Sequence, residues 1–165
     1  MWVCREQPGD VAGARAVHVE AFGRELEASL LDELRASDAW IPQLSLVVRF
    51  GVEVAGHVVV TRAHVDDWPV VALGPIGVLP RFQGRGLGAA LMHSVLGAAD
   101  ALGEPLVGLL GDPRFYERFG FELGAMTHVL PPDPDWLQHF QVRKLAAYED
   151  KIQGTFRYAA PFDNV

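Results

Sequence analysis

Between Leu44 and Leu79 three strand-like segments follow one another with no room for a helix between them, and this limits the fold more than any other feature. Leu44, Leu46, Val48 and Phe50 alternate with Gln43, Ser45, Val47 and Arg49, the period-2 pattern of a half-buried strand, and Gly51 supplies a turn. Glu53 to Ala63 and Val70 to Leu79 continue the series, with Asp66, Asp67 and Pro69 between them. Strands this close pair antiparallel, because a parallel neighbour needs a crossover of about a dozen residues or more. The third strand is interrupted by Gly74, Pro75 and Gly77, which mark a bulge or a place where pairing ends.

Helices are expected on both sides of this meander. Trp2 to Cys4 reads as a short opening strand. Asp10 is placed to cap a helix carrying Val11, Ala14, Val17, Ala21 and Phe22. Leu26, Leu30 and Leu34 make a second helical stripe that stops before Pro42. After Pro80 comes a long helix with Leu87, Leu91, Met92, Val95, Leu96 and Ala99 on its apolar face, ending near Gly103. Pro105 to Leu110 reads as a buried strand, Arg114 to Arg118 as a short helix, and Gly120 to Thr127 as a strand. The run from Pro131 to Asp135 is a turn, Phe140 to Leu145 the last strand, and the tail with Phe156, Tyr158 and Phe162 packs on the body.

The chain has 165 residues, of which 50% are hydrophobic, with a mean hydropathy of +0.14. That suits one α/β domain over residues 1–165 and excludes a disordered chain. A formal charge of −7 and a pI near 5.3 argue against a nucleic-acid partner held by bulk charge. No apolar run approaches the roughly 20 residues of a membrane span. The single cysteine, Cys4, has no internal disulfide partner and reads as a core residue. Arg5, Glu6 and Asp10 stand where a secretory signal would be apolar, pointing to the cytoplasm.

The chemistry concentrates at residues 83–89. Gly84, Gly86 and Gly88 lie between the interrupted strand and the long helix, so several backbone N–H groups can face one anion at the helix N-terminus. Arg81 and Arg85 add positive charge there, as a pyrophosphate would require. Gly84, Gly86 and Ala89 also match a dinucleotide fingerprint, with Glu104 at the distance of a ribose contact. The antiparallel meander and the short remainder of the chain oppose a doubly wound sheet. A Walker A loop is excluded, since no Lys-Ser or Lys-Thr follows the glycines.

The order strand, two helices, antiparallel strands, Gln83-Gly84-Arg85-Gly86-Leu87-Gly88, long helix, strand and Phe115-Tyr116-Glu117-Arg118-Phe119-Gly120-Phe121 resembles the GCN5-related N-acetyltransferases (GNAT). Gln83, Gly86 and Gly88 meet the Q/R-x-x-G-x-G/A signature, and the runs LGPIGVLPRFQGRG and GDPRFYERFGF are similar to the YhbS-type branch. The resemblance implies a mixed, mostly antiparallel sheet that splays after the fourth strand, flanked by helices. It implies acetyl-CoA in the gap, its pantetheine arm beside Ile76, Gly77 and Val78 and its pyrophosphate on the amides of Gln83, Gly84, Arg85, Gly86, Leu87, Gly88 and Ala89. It also implies Tyr116 as general acid, a backbone N–H near Val78 as oxyanion donor, and no metal. Many relatives carry an Asn after the fifth strand, where this chain has Gly111 and Asp112.

Direct transfer from a thioester needs a neutral amine, a stabilised oxyanion and a proton for the departing thiolate. Residues eligible as base are Glu20, Glu25, Glu53, His57, His64, Asp66 and Asp67, without ranking; His57, a lone histidine that could face either side of its strand, reads as a structural or surface residue, and Asp66 and Asp67 as a solvated turn. The acceptor expected is a small-molecule or peptide amine, with a homodimer left open. Two other functions fit less well: a CoA-binding sensor or interaction module without transfer, and a dinucleotide-dependent oxidoreductase.

Overall fold

A computed structural model describes all 165 residues. The meander is β2 (Ser45–Phe50), β3 (Glu53–Val65) and β4 (Trp68–Val78), antiparallel throughout, with β1 (Trp2–Arg5) antiparallel on the outer edge of β2. β2 is not half-buried as its alternation suggests: Leu46, Val47 and Val48 are all buried. Both faces are covered. α3 (Leu87–Ala101) packs on the side of Leu46 and Val48, and α1 (Val11–Phe22) with α2 (Leu26–Arg35) on the side of Val47.

Beyond β4 the sheet continues through β5 (Leu106–Leu110), β8 (Phe140–Lys144) and the two-residue β6 (Glu122–Leu123), in the order β1-β2-β3-β4-β5-β8-β6. β4 and β5 run parallel and meet only at Val71↔Val107 and Ala72↔Gly108. From Leu73 to Val78 the β5-facing edge of β4 has no neighbour, so the sheet splays there. The interruption read at Gly74 and Pro75 coincides with a register shift against β3 between Val58 and Val60, with Gly74 at φ 135°.

Two readings of the C-terminal third are corrected. Gly120 to Thr127 is strand only at Glu122–Leu123 and then turns as a 3₁₀ segment, Gly124–Thr127. The last strand is β9 (Gly154–Arg157), not Phe140–Leu145; it pairs with the overhanging end of β3 and with β7 (Val129–Leu130). β9 delivers Phe156 into a second core with Phe140, Val142 and Leu106, the two phenylalanine rings 5.0 Å apart. Gly108 makes room for it, since a Cβ there would lie 2.4 Å from Phe156 Cε2. Gly108→Ala is therefore expected to lower stability by about 1–3 kcal/mol, the usual cost of overpacking, as measured by urea unfolding. An unchanged midpoint would show that the ring moves freely.

Candidate active site

The splay leaves a cavity of about 370 Å³. Ile76, Gly77 and Val78 on β4 form one wall, Gln83 and Gly88 the next, and Phe115 and Tyr116 of α4 (Pro113–Tyr116) face them. Ala21 and Phe22, at the end of α1, complete it. The structure thus brings six of the residues singled out by sequence around one opening. A larger hollow of about 660 Å³ is lined by Leu110 to Arg114 and by Asp135, Trp136 and His139; it includes Gly111 and Asp112, at the position where many relatives carry Asn, but none of these six.

At the glycine segment the chain leaves β4 through a 3₁₀ turn, Pro80–Phe82, and enters α3 at Gly86. Gly84 and Gly86 have φ of 76° and 85°, the left-handed region in which a Cβ is penalised. No protein carbonyl accepts from the backbone N–H groups of residues 84–89, as expected for a loop running into the first turn of a helix. They lie where the helix dipole also favours negative charge. Gln83 Nε2 donates to Val78 O at 3.0 Å, tying the loop to the end of β4. The side chain of Leu87 is buried in the main core and Ala89 packs against it, so both contribute only backbone here.

Arg81 does not add free positive charge to the loop, because its guanidinium pairs with Glu53 and lies 3.7 Å from Glu20. Arg85, whose guanidinium sits 5.6 Å from the centre of the Phe82 ring, has no such carboxylate partner. Glu104 is not free for a ribose: Arg62 holds it through bonds of 2.6 and 2.8 Å. With an antiparallel meander in place of a doubly wound sheet, the dinucleotide reading is excluded.

Tyr116 ends α4, whose first turn is capped by Asp112 accepting from the Arg114 backbone N–H at 2.9 Å. Asp112 also pairs with the Arg114 guanidinium at 3.0 Å, so it is occupied in building the helix. Gly111 lets the Tyr116 ring lie against the backbone; a Cβ there would stand 2.5 Å from Tyr116 Cε2. Phe115 meets the ring edge-on at 4.8 Å. Burial pushes the phenol above its usual pKa, keeping it protonated at neutral pH.

Beneath β4 lies a polar group that periodicity alone does not reveal. His18 and His57 are fully buried, with His18 Nε2 2.8 Å from His57 Nδ1. His57 Nε2 is 2.8 Å from Ser45 Oγ and 3.3 Å from Glu6 Oε2, and Arg35 pairs with the same Glu6. Burial alone would raise the Glu6 pKa, but the hydrogen bonds and charges of His57 and Arg35 outweigh it and lower it to about 2. Burial, reinforced by His57, lowers His18 to about 3, and burial also lowers His57 against the pull of Glu6. Both imidazoles are neutral at pH 7.

A histidine held neutral in the fold but free to protonate when unfolded loses stability as pH falls through its unfolded value of 6.5. Between about pH 7.5 and about pH 5.5, His18 alone should remove about 1.4 kcal/mol of unfolding free energy, and His57 adds in the same sense. Glu6 adds its own loss only lower, between 4.5 and about 2. Urea unfolding at the two pH values measures the change, and equal stability would contradict the buried neutral pair.

The remaining residues read as possible bases are dispersed. Glu25 pairs with Arg15 at 2.9 Å. His64 lies at the far end of β3 beside Arg157 of β9. Asp66 is not simply a solvated turn: its carboxylate accepts from the Thr155 N–H at 3.0 Å and fastens β9. Asp10 does not cap α1 through its side chain; it accepts from the Gln7 N–H at 2.8 Å and pairs with Arg49. No group of three His, Cys, Asp or Glu side chains is placed to hold a metal ion, and no helix is long and apolar enough to cross a membrane.

Residues 42–123 match the acetyltransferase (GNAT) domain model, a span that holds the meander, the glycine segment and α4. YjhQ of Escherichia coli (strain K12), an uncharacterized N-acetyltransferase, is 31% identical over 160 residues, covering 92% of this chain and 88% of its own. YhbS of the same organism, likewise an uncharacterized N-acetyltransferase, is 31% identical over 151 residues, 90% of this chain and 89% of its own. The crystal structure of E. coli YhbS in complex with CoA superposes with a TM-score of 0.91 at 30% identity, covering 98% of this chain and 91% of that one. A GNAT family acetyltransferase from Brucella melitensis in complex with acetyl-CoA gives 0.81 at 30% identity, covering 98% and 97%. Similarity this extensive, carried through the splayed strand and the glycine turn alike, is that of common descent: the chain belongs to the GNAT family, in its YhbS-like branch.

Proposed function

We propose that this chain transfers the acetyl group of acetyl-CoA to a primary amine by direct attack, with donor and acceptor bound together. The observation that carries the reading is the convergence on one cavity of the open edge of β4, the glycine turn and Tyr116. The relatives bound to CoA and acetyl-CoA support the choice of donor. Ile76, Gly77 and Val78 offer an unpaired strand edge to the amide groups of the pantetheine arm. The backbone N–H groups of residues 84–89, at the N-terminus of α3, receive the pyrophosphate; the Gln83 N–H, expected among them, already donates to Pro80 O at 3.3 Å. Tyr116, protonated at neutral pH, gives its proton to the departing thiolate, and a backbone N–H near Val78 stabilises the oxyanion.

The acceptor is a small molecule or a peptide bearing an amine, and the net charge of −7 favours a cationic one. The donor is tested by thermal unfolding with acetyl-CoA and, separately, NADH. A ligand at about 100 times its dissociation constant stabilises by about 2.7 kcal/mol. Acetyl-CoA should raise the midpoint and NADH should not; the reverse result would overturn the reading.

A further inference from the structure

An amine with a lysine-like pKa of about 10.4 enters as an ammonium ion and must lose a proton before it attacks. Three of the carboxylates read as possible bases are already paired, Glu20 and Glu53 with Arg81 and Glu25 with Arg15. One basic atom is not: His18 Nδ1 is buried without a hydrogen-bond partner. It lies 3.1 Å from where a Cβ would stand on Gly77, a residue of the cavity wall. Ala21 Cβ and Val17 Cγ1 stand 3.3 and 3.4 Å from the same point, so the glycine at 77 is what lets the His18 ring approach the backbone of the cavity wall.

We propose that His18, His57 and Glu6 form a proton relay that deprotonates the acceptor amine, with His18 Nδ1 receiving the proton through a water beside Gly77. The proposal rests on the transfer reading above and extends it to the base. The chain of contacts sets the direction. Glu6 is an anion that only accepts, and its Oε2 lies 3.3 Å from His57 Nε2, which places the hydrogen on that nitrogen. Ser45 Oγ, 2.8 Å away, accepts from the same N–H. His57 Nδ1 is then a bare lone pair and accepts from His18 Nε2–H at 2.8 Å. His18 Nδ1 is left unprotonated and aimed at Gly77.

The proton balance closes. An N–H bond of the ammonium breaks, its electron pair stays on the amine nitrogen, and the proton reaches His18 Nδ1 through water. The His18 Nε2 proton moves to His57 Nδ1, and the charge passes to His57 beside the Glu6 carboxylate; after turnover the same shifts run in reverse and His18 Nδ1 returns the proton to water, which restores the starting tautomers. The groups facing the pair are Glu6 after β1, Ser45 on β2, Arg35 on α2 and Phe22 stacked on His18 at 6.1 Å. Arg35 keeps Glu6 ionised, and the Glu6 carboxylate is the group that favours a proton on His57; burial and the Arg35 charge oppose it, so the imidazolium forms only in passing. His57 and Glu6 are positioning residues in this scheme.

The test compares wild type with His18→Gln, first confirming amine-dependent thiol release by the wild type. The relay predicts that His18→Gln lowers kcat/KM for the amine by about 10²-fold near pH 7, the lower end of general-base contributions. Acetyl-CoA affinity should be unchanged, and the deficit should shrink to about threefold as pH approaches the amine's own pKa, where no base is needed. A deficit constant at every pH, or none at all, would overturn the relay. Nitrogen-15 shifts of wild-type histidines give a readout that needs neither turnover nor a folded variant: His18 Nδ1 should be unprotonated and Nε2 protonated, and the opposite tautomer overturns the proposal. A wild type that transfers to no amine defeats the transfer reading itself, a failure visible before any variant is assayed.

Discussion

Tyr116→Phe is expected to lower kcat by about 10²–10⁴ with acetyl-CoA affinity little changed, the range for loss of one general acid. The substitution is clean because the ring's position does not depend on the hydroxyl: it leans on Gly111 and meets Phe115 and Phe121, contacts that phenylalanine keeps. Only the oxygen is lost, and with it a proton that burial holds on the phenol at neutral pH. If kcat stays within about threefold of wild type when chemistry limits the rate, Tyr116 is a packing residue and another group protonates the thiolate.

Gly86→Asp is expected to abolish acetyl-CoA binding while the fold persists. Nothing lies within 4 Å of a Cβ at this position, so a side chain can start there without a clash. Its φ of 85° makes any L-residue cost about 1–2 kcal/mol, which asparagine and aspartate share. Gly86→Asn is therefore the control for shape and strain, and the difference between the two isolates the carboxylate beside amides proposed to receive a pyrophosphate. Calorimetric titration should show binding for Asn and none for Asp, with circular dichroism confirming that both fold. Equal binding by both variants would reduce the segment to a turn that starts a helix.

The parts of the fold legible in the sequence are those whose signal is local. Alternation from Leu44 to Phe50 and the close spacing of the next two strands specify the meander, while Gly74 and Pro75 mark where β4 loses its regular pairing. β9 is illegible in the sequence because Gly154–Arg157 is short and becomes a strand only against the overhang of β3 and beside β7, where Asp66 fastens it. The alternation in β2 reads as half-buried because periodicity within one strand cannot report that helices cover both faces. Arg81 and Glu104 are not the free charges their sequence context suggests, because Glu53 and Arg62, partners distant in sequence, absorb them.

The candidate site divides the same way. The glycine segment is a contiguous motif and can be found by spacing, whereas Tyr116 is singled out only through the resemblance of its motif to the family. Ala21 and Phe22 read only as the apolar face of α1, since nothing local shows that the face ends at a cavity. His18 and His57 were separately unremarkable, one among apolar helix positions and one on a strand. Their meaning lies in a 2.8 Å contact across 39 residues and in Glu6 and Arg35 arriving from two further elements.

The central claim is tested most directly by incubating the protein with acetyl-CoA and single amines (polyamines, amino acids, aminoglycosides, lysine peptides), following free thiol and identifying the product by mass spectrometry. The account predicts thiol release that requires the amine and a product carrying one acetyl group on nitrogen. Tight binding of acetyl-CoA with no amine-dependent release across the whole set would contradict it, and would mark the chain as a CoA-binding module that performs no transfer.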